Sequence, residues 1–309
     1  MVKLIRKVKL ALKKPSRTLP YFKQQYKTFR YLITSGEYSK AVLTLGNEIT
    51  SVDRFVEDSW SSVIKEVNGS KMVLDLRDRG INRELLLNGT REETETTEFS
   101  NQLNRINEEY ESISVLDIGA NIGYYVLLEA AILGDRHRIY AFEPHPRNVA
   151  QLRESISLNG FDDFVEIEQC AIGSENGTAE LAVSTYSNTH QISDAKVKPS
   201  STIDVKVKSI DSIVSERDLS TSDCLVFRVD VEGFEYEVFK GMKEQLSYDI
   251  DILLFIEVHG SVPQNNKRKM LQNLSDSGFE FIYASDRSAD SIADLQNSSS
   301  FHLIAHRTT

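Results

Sequence analysis

Apolar and polar positions change period several times along the chain, and each change marks an element. Residues 62–67 and 71–76 alternate or run apolar around Asn68-Gly69-Ser70, a strong turn signal, so a hairpin is predicted there. The polar stretch 92–110 carries Phe99, Leu103 and Ile106 at helical spacing. From Ser112 onward strand-like and helix-like segments alternate. The pattern predicts strands at 113–118, 138–142, 165–171, 225–229, 252–258, 279–284 and 301–306. Helices are predicted at 124–133, stopped by Gly134, and at 146–158, where Val149, Leu152 and Ile156 share a face ahead of Asn159-Gly160. Val238, Phe239, Met242 and Leu246 mark a further helix, and Met270, Leu271 and Leu274, closed by Gly278, mark another. This alternation implies an α/β fold with a doubly wound, mostly parallel sheet. Ligands of such sheets bind at the carboxyl ends of the strands. The polar stretch 184–202, with Asn188, Thr189, His190 and Gln191 at its centre, breaks the alternation where a loop or lid is expected.

Three regions follow from the pattern: a basic helical leader (1–50), a small hairpin and helix module (51–111) and the α/β domain (112–309). In the leader, Leu4, Ile5, Val8 and Leu12 recur at helical spacing among lysines and arginines until Pro15 interrupts them. Ten of the 36 basic residues fall in the first 30 positions, which hold no acid. The remainder carries 26 basic residues against all 46 acids, a net charge of −20. An acidic body repels nucleic acid, whose binding rests on phosphate neutralisation, so no nucleic-acid partner is expected. The basic amphipathic leader fits an interfacial helix on anionic lipid, a helix packed on the acidic body, or a frayed tail. No apolar run approaches the roughly 18 residues that a spanning helix needs, and no secretory signal pattern is recognised. Cys170 and Cys224 sit in apolar strand-like runs without metal-ligand spacing, which reads as two buried thiols. A cytoplasmic protein is expected, with residues 1–30 able to touch the inner face of a membrane.

The chemistry concentrates in one turn. Asp117-Ile-Gly119-Ala120-Asn121-Ile-Gly123 follows a strand and opens a helix, and Glu143 ends the next strand 20 residues past Gly123. The glycines let a ligand approach the backbone, and a carboxylate at Glu143 can accept two hydrogen bonds from ribose hydroxyls. A dinucleotide site needs Gly-x-Gly-x-x-Gly so that pyrophosphate rests on the helix N-terminus. Here the spacing is Gly-x-x-x-Gly, and Asp117 stands two residues before the first glycine. An acid there suits the ammonium of a methionine moiety better than a phosphate, so S-adenosylmethionine is the expected cofactor.

The segments VLDIGANIGYY, AFEPHPRN at 141–148, SLNG at 157–160, FRVDVEGFEYEVFKGM at 227–242 and FIEVHG at 255–260 together resemble the FkbM-type methyltransferase family. The upstream RGINRELLLNGTRE resembles the lead-in of many members, and the likeness runs from about residue 75 to 285. It implies a Rossmann-like methyltransferase sheet with helices on both faces, S-adenosylmethionine as donor, and a hydroxyl, often on a sugar, as acceptor. Family members usually have Lys where this chain has Arg228, and Ser209-Ile-Asp211 stands for the commoner Thr-Leu-Asp. Carried over residue by residue, Asp117, Gly119, Ala120, Asn121 and Gly123 hold the methionine part, and Glu143 with Pro144 the ribose. Cys170 and Ala171 lie near adenine.

Asp230, Glu232 and His259 are the candidate catalytic groups. His259 is the better base by its unperturbed pKa, whereas Asp230 or Glu232 would need one raised by burial. Asp230, Glu257 and His259 are also residue types that hold divalent ions, although no metal is assigned. Arg228, Asn188, His190 and Glu257 are the candidate acceptor contacts, and Glu235 and Glu237 read as solvated charges. The leading expectation is O-methylation of a small molecule or a sugar in a glycan or glycolipid precursor. A nicotinamide-dependent oxidoreductase with a degenerate fingerprint, or a noncatalytic S-adenosylmethionine-binding module, are the alternatives.

Overall fold

The computed structural model describes residues 62–78, 80–183, 191–192, 202–285, 295 and 297–309, all within the compact unit Ser62–Thr309. The leader, with its expected membrane contact, lies outside the described residues, as do Asn188 and His190.

β1 (Ser62–Val67) and β2 (Ser70–Asp75) form the expected antiparallel hairpin. Asn68 (φ 49°) and Gly69 (φ 80°) both take left-handed backbone, the requirement of a type I′ turn. α1 (Ile81–Asn88) ends at Gly89 in left-handed conformation. It was not expected from the pattern. α2 (Glu93–Glu109) buries Thr96, Phe99, Leu103 and Ile106 along one stripe. β3 (Ile113–Ile118) follows and is buried at every position, as a central parallel strand is. α3 (Tyr124–Leu133), β4 (Arg138–Phe142) and α4 (Pro146–Asn159) come next. Pro146 opens α4 with its preset φ, and Gly160 closes it in left-handed conformation.

β5 (Val165–Glu168) and β6 (Ala171–Ile172) divide what the sequence pattern joins as one strand, and β6 enters a second sheet. That sheet continues with β7 (Gly177–Ala182), β8 (Gln191–Ile192) and β9 (Thr202–Lys208) in the order β6-β9-β7-β8. The chain returns through α5 (Ile210–Glu216), β10 (Cys224–Val229), α6 (Glu235–Lys240), β11 (Asp251–Val258), α7 (Gln264–Asp276), β12 (Glu280–Ala284) and β13 (Phe301–Arg307).

The large sheet has the order β12-β13-β11-β10-β3-β4-β5. β5, β4, β3, β10 and β11 pair in parallel, and β13 runs antiparallel between β11 and β12. The expected doubly wound sheet is present. Alternate strand residues serve opposite faces: Val115, Val226 and Phe255 join one apolar cluster, and Leu116, Phe227 and Leu254 join the other. Helices cover both faces. The hairpin, α1 and α2 are part of this packing, since Met72, Leu85 and Phe99 belong to the cluster that holds Val115. Burying one such side chain contributes roughly 1.5–3 kcal/mol.

The strand order reverses between β3 and β10, so their carboxyl ends open a crevice at the switch point. No helix among the described residues is long and apolar enough to cross a membrane.

Candidate functional site

β3 leaves the sheet into the glycine turn. Gly119 has φ 84°, and a Cβ there would stand 1.8 Å from the carbonyl oxygen of Asp230. Only glycine lets the turn lie against the end of β10. The amides of Gly119 and Ala120 both donate to the carbonyl of Phe142, at 2.9 and 3.0 Å, which ties the turn to β4. Gly123 has φ 93°, and a Cβ there would meet Leu152 Cδ1 at 2.3 Å. Gly119 therefore shapes the cleft, whereas Gly123 lets α3 pack on α4.

Asn121, also left-handed at φ 52°, turns its amide toward Glu143, donating to Oε2 at 2.9 Å. The other carboxylate oxygen accepts from the amide of His145 at 2.8 Å and from Asn148 Nδ2 at 3.3 Å. Burial pushes the Glu143 carboxyl up to about 7 against the pull of these donors. The three donors fix the carboxylate's orientation, with its oxygens still able to accept from a ligand. Asn148 was not singled out from the sequence, although it ends the AFEPHPRN segment.

Arg228 forms a buried clamp. Its Nη1 donates to Asp117 Oδ1 at 3.2 Å and to the Gly119 carbonyl at 3.1 Å, and its Nη2 donates to Asp230 Oδ2 at 2.7 Å. The guanidinium also lies 4.4 Å from the Tyr125 ring centroid, a cation–π contact. Burial raises the Asp117 carboxyl to about 6, with the Arg228 charge opposing it. Asp117 is fully buried behind the turn, and Asp230 stands at the cleft wall with Glu143 and Glu232. Arg228 holds the turn and two strand ends together.

At the end of β11, His259 Nδ1 lies 2.6 Å from Glu235 Oε1, which also accepts from the Gly233 amide at 2.8 Å. Glu235 is completely buried, a correction to its reading as a solvated charge. His259 Nε2 faces Glu232 Oε2 and Glu257 Oε1, each at 3.4 Å, and Asp230 Oδ1 at 4.0 Å. Burial alone would lower the imidazole's pKa, but the Glu235 hydrogen bond and the surrounding carboxylates raise it to about 9. These contacts favour the protonated ring. Burial raises Glu232 to about 7, aided by the Asp230 charge and opposed by His259.

Glu257 bridges His259 and His302, whose Nε2 lies 3.3 Å from Glu257 Oε2. Despite burial, these imidazoles and Arg228 hold the Glu257 carboxyl down to about 2. His302, on β13, was missed from the sequence. Asp230, Glu232 and His259 present ligand atoms within 4.8 Å of one another, as do Glu92, Glu257 and His302.

Replacing Glu235 with Gln removes the buried carboxylate beside His259. The imidazole's titration is then expected to fall from about 9 toward its ordinary 6.5. NMR titration of the His259 ring nitrogens measures this, and an unmoved titration would mean that Glu235 does not hold the proton on the ring.

A cleft opens at the switch point beside these groups. Gly119, Asn121, Glu143, Pro144, Cys170 and Ala171 line it, as do Asp230, Glu232 and Arg91 from the loop between α1 and α2. Arg91 carries no periodicity signal and was overlooked in the sequence.

The Methyltransferase FkbM domain family matches residues 117–281, just over half of the chain. The hexuronic acid methyltransferase AglP of Haloferax volcanii is 29% identical over 167 residues, 53% of this chain and 64% of that protein. The chain thus spans less than two thirds of that relative's length. Among solved structures, M. jannaschii TYW2 in complex with AdoMet is 15% identical, with 81% of this chain and 87% of that one covered at a TM-score of 0.39. The METTL16 MTase domain is 9% identical, with 78% and 74% covered at a TM-score of 0.44.

Proposed function

The chain belongs to the FkbM methyltransferase domain family, and from that premise we propose that it methylates a hydroxyl oxygen of a sugar in a glycan or glycolipid precursor. Its methyl donor is S-adenosylmethionine. One observation carries the acceptor chemistry: Glu232, whose carboxyl titrates at about 7, lines the same cleft as the ribose-type acceptor Glu143. The hexuronic acid activity of the AglP relative supports a sugar acceptor.

The site fits the donor on two counts: the Gly119 turn leaves no room for a side chain, and Glu143 is a buried and oriented hydrogen-bond acceptor lining the cleft. Glu143 would hold the ribose hydroxyls, Cys170 and Ala171 would flank adenine, and Gly119, Asn121 and Asp230 would surround the methionine part. The bound donor supplies a methyl group already activated on a sulfonium. Reaction then requires an acceptor oxygen aligned with that methyl and relieved of its proton. Glu232 takes the proton. The His259 imidazolium, 3.4 Å from Glu232 Oε2, keeps that carboxyl from rising further, so that a share of it is ionised at neutral pH. Glu235 and Glu257 hold His259 in place and charged.

Incubation with methyl-labelled donor and fractionated glycolipids tests the acceptor. An alkali-stable methyl ether on a sugar is expected. Label released as methanol by mild alkali would mean a methyl ester and overturn the hydroxyl reading. For the donor, Glu143→Ala is expected to weaken S-adenosylmethionine binding by about 1.5–3 kcal/mol, the scale of hydrogen bonds to a charged group. Calorimetry checks this, and unchanged affinity would remove Glu143 from the donor site.

A further inference from the structure

The fixed charge of the cleft is acidic, since Glu143, Asp230 and Glu232 line it, yet the donor carries an α-carboxylate and a uronic acceptor would carry another. A carboxylate entering such a wall needs a cation. Arg228 is already engaged by Asp117, the Gly119 carbonyl, Asp230 and the Tyr125 ring. Arg91 is the one basic side chain among the described cleft-lining residues.

Its backbone is anchored beside the donor turn. Tyr124, the first residue of α3, donates its hydroxyl to the Arg91 carbonyl at 2.9 Å and accepts from the Arg91 amide at 3.3 Å. Thr96 Oγ1 adds a bond to the same carbonyl at 3.1 Å. The side chain is steered by Glu92, which pairs with Nη2 and is itself held by the Tyr125 hydroxyl at 2.8 Å. Nε and Nη1 make no hydrogen bond within the described residues, so guanidinium donors remain for a carboxylate. Arg91 lines the cleft together with Asp230 and Glu232.

We propose that Arg91 is the carboxylate receptor of the cleft, gripping the α-carboxylate of the donor or a uronate of the acceptor through the guanidinium donors that Glu92 leaves free. The inference rests on the donor assignment above. Three ligands separate the two: S-adenosylmethionine, its decarboxylated analogue, and 5′-methylthioadenosine, which lacks the amino-acid part altogether. Failure of all three to bind the wild type would defeat the donor assignment itself. Calorimetry of wild type and Arg91→Gln with each ligand forms the first arm. If the donor's carboxylate is bound, the variant loses about 10- to 100-fold in affinity for S-adenosylmethionine. The decarboxylated analogue and 5′-methylthioadenosine then bind both proteins equally, which also shows that the variant is folded.

The second arm titrates donor-loaded protein with methyl β-D-glucuronide and methyl β-D-glucoside. If the acceptor's carboxylate is bound, wild type prefers the glucuronide about tenfold or more, the variant loses the preference, and donor affinity is unchanged. Arg91→Lys should recover part of whichever effect appears, since it restores charge without the fork. The proposal is overturned if the variant matches wild type in both arms. It is also overturned if all three donor-type ligands weaken alike, because the residue would then act only on the fold.

Discussion

Glu232→Gln is expected to lower kcat by about 10²- to 10⁴-fold while leaving the dissociation constant of S-adenosylmethionine nearly unchanged. Gln keeps the size and polarity of the side chain but cannot take a proton. The pH dependence gives the assignment a second handle. Glu232 acts in its ionised form, so kcat at saturating donor should rise with pH through about 7 and level off above it. The same rise should vanish in the residual activity of the variant. His259 acts on that inflection with a predictable sign: its positive charge lowers the Glu232 pKa, so His259→Gln should shift the rise to higher pH. A His259 base would instead lose turnover at every pH on the same substitution. Full activity in Glu232→Gln would move the role to Asp230 or mean that the acceptor needs no base, as a carboxylate would not.

The contest between Glu232 and His259 shows what sequence can supply here. Unperturbed pKa values favour histidine, and nothing within the segments 228–237 or 255–260 reverses that order. The structure adds four carboxylates, three on one strand-to-helix turn and one on β11, that converge on a single imidazole, whose pKa is raised. Glu235 illustrates the difficulty. In the first turn of a short helix beside Glu237 it has the pattern of a solvated charge, and its burial comes from packing against a strand that ends more than 20 residues later.

The backbone was easier to read. β3 and β10 are apolar runs buried on both faces, and α3 is bounded by Gly123 and Gly134 as its glycines suggest. These features are local, so periodicity reports them. The division of residues 165–172 between two sheets is not local. Both halves have strand character, and only the pairing of β6 with β9 reveals the change of direction. The place of Glu143 at the cleft was legible because it directly follows the strand after the glycine turn. Arg91 was not, because a loop residue upstream of β3 reaches the cleft only through the grip of Tyr124 on its backbone.

Gly119→Ala is expected to destabilise the fold by several kcal/mol and to abolish donor binding, and its effect can be divided by a control. Two costs add at this position. Left-handed backbone at φ 84° costs an L-residue roughly 1–2 kcal/mol. The added methyl would also stand 1.8 Å from the Asp230 carbonyl oxygen and 2.9 Å from its carbon. Backbone cannot swing aside as a side chain can, so relief requires the turn and the end of β10 to separate. That separation pulls on the Asp230 amide bond to the Ile118 carbonyl at 3.0 Å and on the Arg228 bond to the Gly119 carbonyl at 3.1 Å. Overpacking of this kind costs about 1–3 kcal/mol or more, and here it displaces the groups that shape the cleft. Gly160 is the control: its φ is 70°, and nothing lies within 4 Å of the place a Cβ would take. Gly160→Ala should therefore show the conformational cost alone and leave donor affinity intact. Denaturant unfolding of both variants, with donor calorimetry at a temperature where both remain folded, measures the difference. Equal losses of stability in the two variants, with donor affinity retained in Gly119→Ala, would mean that the turn and the end of β10 are free to part and that their contact does not build the site.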